Sequence, residues 1–191
     1  MAREMLTVEE VIQEARRRLF QGAWDYLVGG SESETTLRRN RSAFDRIALR
    51  PRVLVDVSKV DPSASLLGHN LRIPVILAPI GSLEVFDPDA GVGSTKAAGQ
   101  FGTVHVVSSV TQPALEETAA ATDAPKIYQL YLRGDWEWRK AMLDRALKAG
   151  YKALTITVDT AVMSRRERPL ITRWAQPTRR NPVDQIGRAH V

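Results

Sequence analysis

With 191 residues, 43% apolar and 26% charged, the chain can bury one ordinary core and is neither disordered nor fibrous by composition. Its net charge of +5 comes from arginines scattered over Arg16 to Arg18, Arg38 to Arg41, Arg165 to Arg168 and Arg179 to Arg180, without interleaved aromatics or a reading motif, so nucleic acid is not an expected partner and a small anion fits. Cysteine is absent, no apolar run approaches the roughly 20 residues of a membrane span, and the N-terminal MAREMLTVEE has no signal-peptide core; the expectation is a soluble, cytoplasmic protein without disulfides, thiolate chemistry or a metal site.

Thr7 and Glu10 have capping-box spacing, and Val8, Val11, Ile12, Ala15 and Leu19 recur at helical period, predicting an amphipathic helix that ends near Gln21 and Gly22. A Gly29-Gly30 break follows, then a second helix from about Ser33 to Phe44. Tyr26, beside the break, is either core or presented by the turn. Arg50, Pro51 and the V-L-V-D-V run predict a short strand. S-A-S-L-L-G-H-N-L-R-I-P predicts a small hairpin with His69-Asn70 at its tip, which makes His69 an exposed turn residue.

From Pro74 onward four apolar strands recur: 74–80, 103–109, 126–131 and 152–160. Helical stretches lie between them: Asp89 to Gln100, a second opening at Thr111 with Pro113 in its first turn and Glu116-Glu117 just inside, and a third from Asp135 to Ala149 with Trp138, Met142, Ala146 and Ala149 on one stripe. Repeated strand-helix units argue for parallel strands with crossover connections. The run Ala153 to Val158 reads as a strand covered on both faces.

Side chains alternate faces along a strand. Val104, Val106 and Ser108 therefore share a face, as do Ile127, Gln129 and Tyr131, and Thr155, Thr157 and Asp159. Each of three strands places polar groups near its C-terminal end, where ligands bind in parallel α/β folds. The plain alternative is that strand ends are polar because loops follow; a Gln inside an apolar strand favours a site, since it costs free energy unless bonded. His105 falls on the opposite face and is read as packing against helices. Only about four strand-helix units fit after Pro74, whereas an eight-stranded parallel barrel takes about 250 residues.

Several colinear blocks between Val11 and Arg168 carry a resemblance: W-D-Y-L-V-G-G, T-L-R-R-N-R-S-A-F, R-P-R-V-L-V-D-V, I-L-A-P-I-G, V-V-S-S-V, Y-Q-L-Y and L-T-I-T-V-D-T followed by S-R-R-E. The chain resembles the N-terminal half of the FMN-dependent α-hydroxy acid dehydrogenases and oxidases, the family of glycolate oxidase, lactate dehydrogenase and mandelate dehydrogenase. The resemblance implies a TIM (β/α)8 barrel truncated to an N-terminal helical segment plus about four βα units. It divides the chain into residues 1–73, with the helices and hairpin, and residues 74–185, the first half of the barrel.

It further implies FMN as cofactor and oxidation of an (S)-2-hydroxy acid to the 2-keto acid. Pro79, Ile80 and Gly81 would lie along the flavin by their backbone, and Ser108, Gln129 and Thr157 would bond the isoalloxazine. Tyr26 and Arg166 would hold the substrate carboxylate, Tyr131 would bond its hydroxyl or carboxylate end, and Asp159 would pair with the catalytic histidine. A homo-oligomeric parent, peripheral at a membrane in some members, is the corresponding expectation for assembly. Ala161 and Ser164 depart from the Pro and Gly usual in the family.

The family's catalytic His, flavin-contacting Lys, second substrate Arg and phosphate loops belong to the later barrel half, and His69, His105 and His190 match none of them. A fragment without turnover, aggregation-prone at exposed strand edges, is therefore expected. Residues 186–191, I-G-R-A-H-V, translate back to a sequencing-adapter-like read and are expected to be an artefact. The alternatives are another FMN-binding barrel of the type 2 isopentenyl diphosphate isomerase kind and a non-catalytic half-barrel binding module.

Overall fold

The computed structural model describes residues 4–159 and 164–175, so Ala161, His190 and the 186–191 segment lie outside the described residues. The described chain forms two compact units, residues 4–55 with 164–175, and residues 56–159.

In the first unit, α1 spans Val8–Arg18. Thr7 caps it by accepting from Glu10 N at 3.2 Å, and Glu10 reaches back to Leu6 N at 2.7 Å. Glu14 pairs with Arg17 and Arg18, and all three arginines of the last turn complement the helix dipole. The helix stops at Arg18, earlier than expected, because Leu19 turns extended and a separate helix begins: α2, Gln21–Val28. W-D-Y-L-V is thus helical, stabilised by the i,i+4 bond from Gln21 Nε2 to Asp25 Oδ1 at 2.9 Å.

Gly29 ends α2, and α3 runs Thr35–Asp45. The short α7, Glu167–Ile171, belongs to this unit. Beyond it, Trp174 packs on Phe20 and Tyr26 at ring-centroid distances of 6.3 and 5.1 Å. Gly22 leaves room for that indole; a Cβ there would overlap the Trp174 ring.

The expected strand after Arg50 does not form. No described residue pairs with its backbone, Val53 and Val57 stand exposed, and Leu54 adopts φ +58. In the second unit the hairpin does form, as β1 (Ala64–Leu66) and β2 (His69–Leu71), with Leu66 opposite His69. Its tip is Leu67-Gly68, both at positive φ, so His69 is a half-buried strand residue and not the turn. A type I′ two-residue turn has positive φ at both central positions, as Leu67 and Gly68 do, and glycine adopts it readily.

The main sheet is parallel, in the order β3 (His105–Ser108), β4 (Lys126–Tyr131), β5 (Ala153–Thr157). The segment 74–80 lies beside β3 only through a bridge at Leu77, whose N–H donates to Val104 O and whose carbonyl accepts from Val106 N. Pro74 and Pro79 bring no N–H to a ladder, so the full strand expected there is reduced to that bridge.

α4 (Ala90–Phe101) precedes β3, α5 (Leu115–Ala119) precedes β4, and α6 (Trp136–Lys148) precedes β5. The helix expected from Thr111 begins only at Leu115, because Thr111 N–H closes a turn onto Ser108 O. Asp135 caps α6 by accepting from Trp138 N at 2.8 Å, and Gly150, at φ +83, follows its end.

The two faces of the sheet have different partners. On one, Val107, Tyr128 and Leu130 pack with Leu115 and Ala119 of α5, Met142 and Ala146 of α6, and Tyr151, with Trp138 and Ala149 of the expected stripe at the margin. Full burial of each large side chain contributes about 1.5–3 kcal/mol. Tyr151 Oη donates to Leu115 O at 2.9 Å, and burial pushes its phenol upward in pKa.

On the other face, Val104, Val106 and Ile127 pack against Leu71 of the hairpin, with Leu66 and Ala153 beside them. That leaves the C-terminal ends of the same strands to polar groups. The expectation that β5 is covered on both faces fails: Leu154, Ile156 and Val158 are exposed, Ile156 by 46%, since the sheet ends at β5.

Candidate functional site

Parallel register sets Ser108 beside Gln129, and Tyr131 beside Thr157. The side chains from three strands then form one chain of hydrogen bonds. Ser108 Oγ donates to Gln129 Oε1 at 2.7 Å, and Gln129 Nε2 donates to Thr157 Oγ1 at 2.6 Å. Val110 N closes the row onto Ser108 Oγ at 3.3 Å.

Gln129 is only 2% exposed, so its amide is held and aimed by its partners. An amide has two donor hydrogens and two acceptor lone pairs, and each end has one engaged in this row. The row can therefore bond a ligand that presents both donors and acceptors.

Gly81 approaches the row closely. A Cβ on it would lie 2.6 Å from Val110 Cγ2 and 3.8 Å from Ser108 Oγ. Ser82 N donates to Val110 O at 2.9 Å and fixes the approach. Pro79 and Ile80 precede it in exposed chain. The structure thus brings Gly81 near Ser108 and joins Ser108, Gln129 and Thr157 in one row.

Tyr131 is half-buried at the end of β4, with Arg133 lying 5.3 Å over its ring. Asp159 lies two residues beyond β5, exposed, with no hydrogen bond or ion pair to another described residue. His105 faces the other way, as its position in the strand requires: Thr95 Oγ1 of α4 is 2.8 Å from its Nδ1. It is 3% exposed, and burial pulls its pKa down to about 4.

In the first unit, Arg166 stands at the start of α7 with its guanidinium 4.9 Å over the Tyr26 ring. Its Nη1 donates to Tyr26 O at 3.3 Å, and among the described residues this engages one of the five N–H donors of the guanidinium. Tyr26 is half-buried in the last turn of α2.

Three neighbours were not among the expected site residues. Glu34 receives Arg168 Nε and Nη2 at 2.5 and 2.7 Å and Gly30 N at 3.2 Å, and these bonds, Arg168's foremost, hold its carboxyl down at about 2. Trp174 stacks against Tyr26. A carboxylate and an arginine 134 residues apart carry no periodic signal that would have paired them.

Comparison with known proteins gives one consistent result. Residues 15–189 match the FMN-dependent dehydrogenase family. A peroxisomal (S)-2-hydroxy-acid oxidase of Oryza sativa is 38% identical over 172 residues, covering 90% of this chain and 47% of its own length. Glycolate oxidase 3 of Arabidopsis thaliana is 36% identical over 174 residues, covering 91% and 47%.

Among solved structures, a lactate oxidase from Pediococcus acidilactici superposes with a TM-score of 0.86 at 30% identity, covering 92% of this chain and 49% of that one. A mandelate oxidase gives 0.86 at 29% identity, covering 92% and 51%. The chain spans about half the length of the curated relatives it matches. Its strand-helix units are those of a TIM barrel, and the described units leave the sheet open.

Proposed function

Because the chain belongs to the FMN-dependent dehydrogenase family, we propose that it supplies flavin-contacting and carboxylate-holding residues for the oxidation of an (S)-2-hydroxy acid to the 2-keto acid. The observation that carries the reading is the buried Ser108–Gln129–Thr157 row, in which each end of the Gln129 amide makes one hydrogen bond to a described residue. The pyrimidine edge of an isoalloxazine alternates donor and acceptor and matches such an amide. Gly81 brings the end of the 79–81 backbone close to Ser108 at one end of this row, and a flavin ring would lie along the backbone of Pro79, Ile80 and Gly81.

FMN, when bound, supplies the two-electron acceptor, and the protein's part is placement. Arg166 binds the substrate carboxylate through charge-assisted hydrogen bonds, with the Tyr26 phenol as a second donor. Tyr131 bonds the substrate hydroxyl and orients it. Asp159, an exposed carboxylate without a partner among the described residues, is assigned to hold a protonated histidine base. A cytoplasmic, homo-oligomeric protein completes the reading. The described residues contain no helix long and apolar enough to cross a membrane.

Titration of FMN with the purified chain tests the cofactor assignment: quenching of flavin fluorescence is expected, and a Gln129→Met variant that quenches equally would remove it. Anaerobic addition of glycolate, (S)-lactate or (S)-mandelate to the full-length protein should bleach the visible flavin absorbance. Bleaching by none of the three would redirect the reading to other FMN-binding barrels.

A further inference from the structure

Tyr26 and Arg166 are 140 residues apart in sequence, and their pairing needs something to fix it. The turn between α2 and α3 and the start of α7 are tied at two places. Glu32 N donates to Arg165 O at 2.8 Å, and Arg168 makes its two-pronged pair with Glu34.

Glu34 occupies the residue before α3, where a side chain ordinarily caps its own helix, yet it makes no capping bond. Its carboxylate turns instead to Gly30 N and Arg168. Both Glu32 and Glu34 hold positive φ, 48° and 60°, which non-glycine residues keep only where their surroundings over-determine the backbone. Gly29 contributes by being small: a Cβ there would sit 3.2 Å from Arg168 Cδ.

We propose that Glu34 is a positioning residue of the substrate site: through Arg168 and Gly30 it joins the turn that follows Tyr26 to the segment that carries Arg166, and so keeps the guanidinium over the phenol ring. The inference rests on the reading of Tyr26 and Arg166 as the carboxylate-holding pair. The acid itself touches no substrate. It sets where the arginine stands, and its bidentate geometry makes that placement directional in a way a single bond would not.

The test reads geometry and binding separately in the full-length protein. A side chain stacked over an aromatic face has upfield-shifted NMR resonances, and those of Arg166 are identified by their loss in Arg166→Lys. In Glu34→Gln and in Arg168→Met, which breaks the pair from the other side, the Arg166 shift is expected to relax toward the unstacked value. Affinity for oxalate, a plain carboxylate probe, should fall about tenfold in both variants.

An unchanged Arg166 shift in the two single variants overturns the proposal, as does unchanged oxalate affinity when the shift is lost. Absence of oxalate binding in the wild type, with the Arg166 shift intact, removes the carboxylate reading and the positioning role with it, and is told apart by the intact shift. Dispersed amide signals from β3, β4 and β5 serve as the folding control.

Discussion

Gln129 donates its side-chain amide to Thr157 Oγ1 at 2.6 Å while accepting from Ser108 Oγ at 2.7 Å, so one buried residue joins three parallel strands through their polar face. Gln129→Met would leave both hydroxyls without that partner. Stability is expected to fall by about 1–3 kcal/mol, read by urea unfolding, and FMN affinity by at least about tenfold, read by fluorescence titration. Loss of stability with FMN affinity intact would make the row purely structural.

His105 gives the molecule an acid sensitivity of defined sign. Its folded pKa, about 4, lies below the ordinary 6.5 because burial disfavours the cation. The stability this residue confers is complete above pH 6.5 and is lost as pH falls toward 4, by on the order of 3 kcal/mol in total. Unfolding free energies measured between pH 7 and pH 5, where carboxylates contribute little, should decline in the wild type and stay nearly level in His105→Gln. An equal decline in both would place the sensitivity elsewhere.

Gly81 is needed for space. An added Cβ would meet Val110 Cγ2 at 2.6 Å, so Gly81→Ala should cost about 1–3 kcal/mol through overpacking. Combining it with Val110→Ala, which removes the obstructing methyl, should recover much of the loss in thermal melting. If the double variant melts no higher than Gly81→Ala, the close approach is limited by something other than Val110.

The open end of the sheet presents Leu154, Ile156 and Val158 to solvent. Exposed apolar edge strands template association, and a charge on such an edge suppresses it. Sedimentation velocity over a range of concentrations should show self-association of the 191-residue chain, reduced in Ile156→Lys. Concentration-independent monomers in the wild type would show that this edge is not sticky.

Much of the architecture was legible because hydrophobic period is a local property. The alternation in 126–131 gave β4 to the residue, and the Asp135 cap with the Gly150 stop bracketed α6 within a residue at each end. The face assignment of Ser108, Gln129 and Thr157 followed from the same two-residue period, and the hydrogen-bonded row bears it out. Failures came where a local pattern had no partner to complete it. V-L-V-D-V has strand composition but finds no partner among the described residues, and the hairpin tip moved to Leu67-Gly68 because backbone sign and not polarity decides a two-residue turn.

Sequence alone therefore determined the strand-helix repeat, the polar ends of its strands and the family to which those blocks point, since each is written in residues close together along the chain. Tertiary structure alone decided which distant groups meet. The register that sets Ser108 against Gln129, the close approach of Gly81 to Val110 and the Glu34–Arg168 pair beside Tyr26 and Arg166 all depend on contacts between segments far apart in the chain. Such contacts are selected by packing and backbone hydrogen bonding over the whole unit, and no single stretch of sequence encodes them.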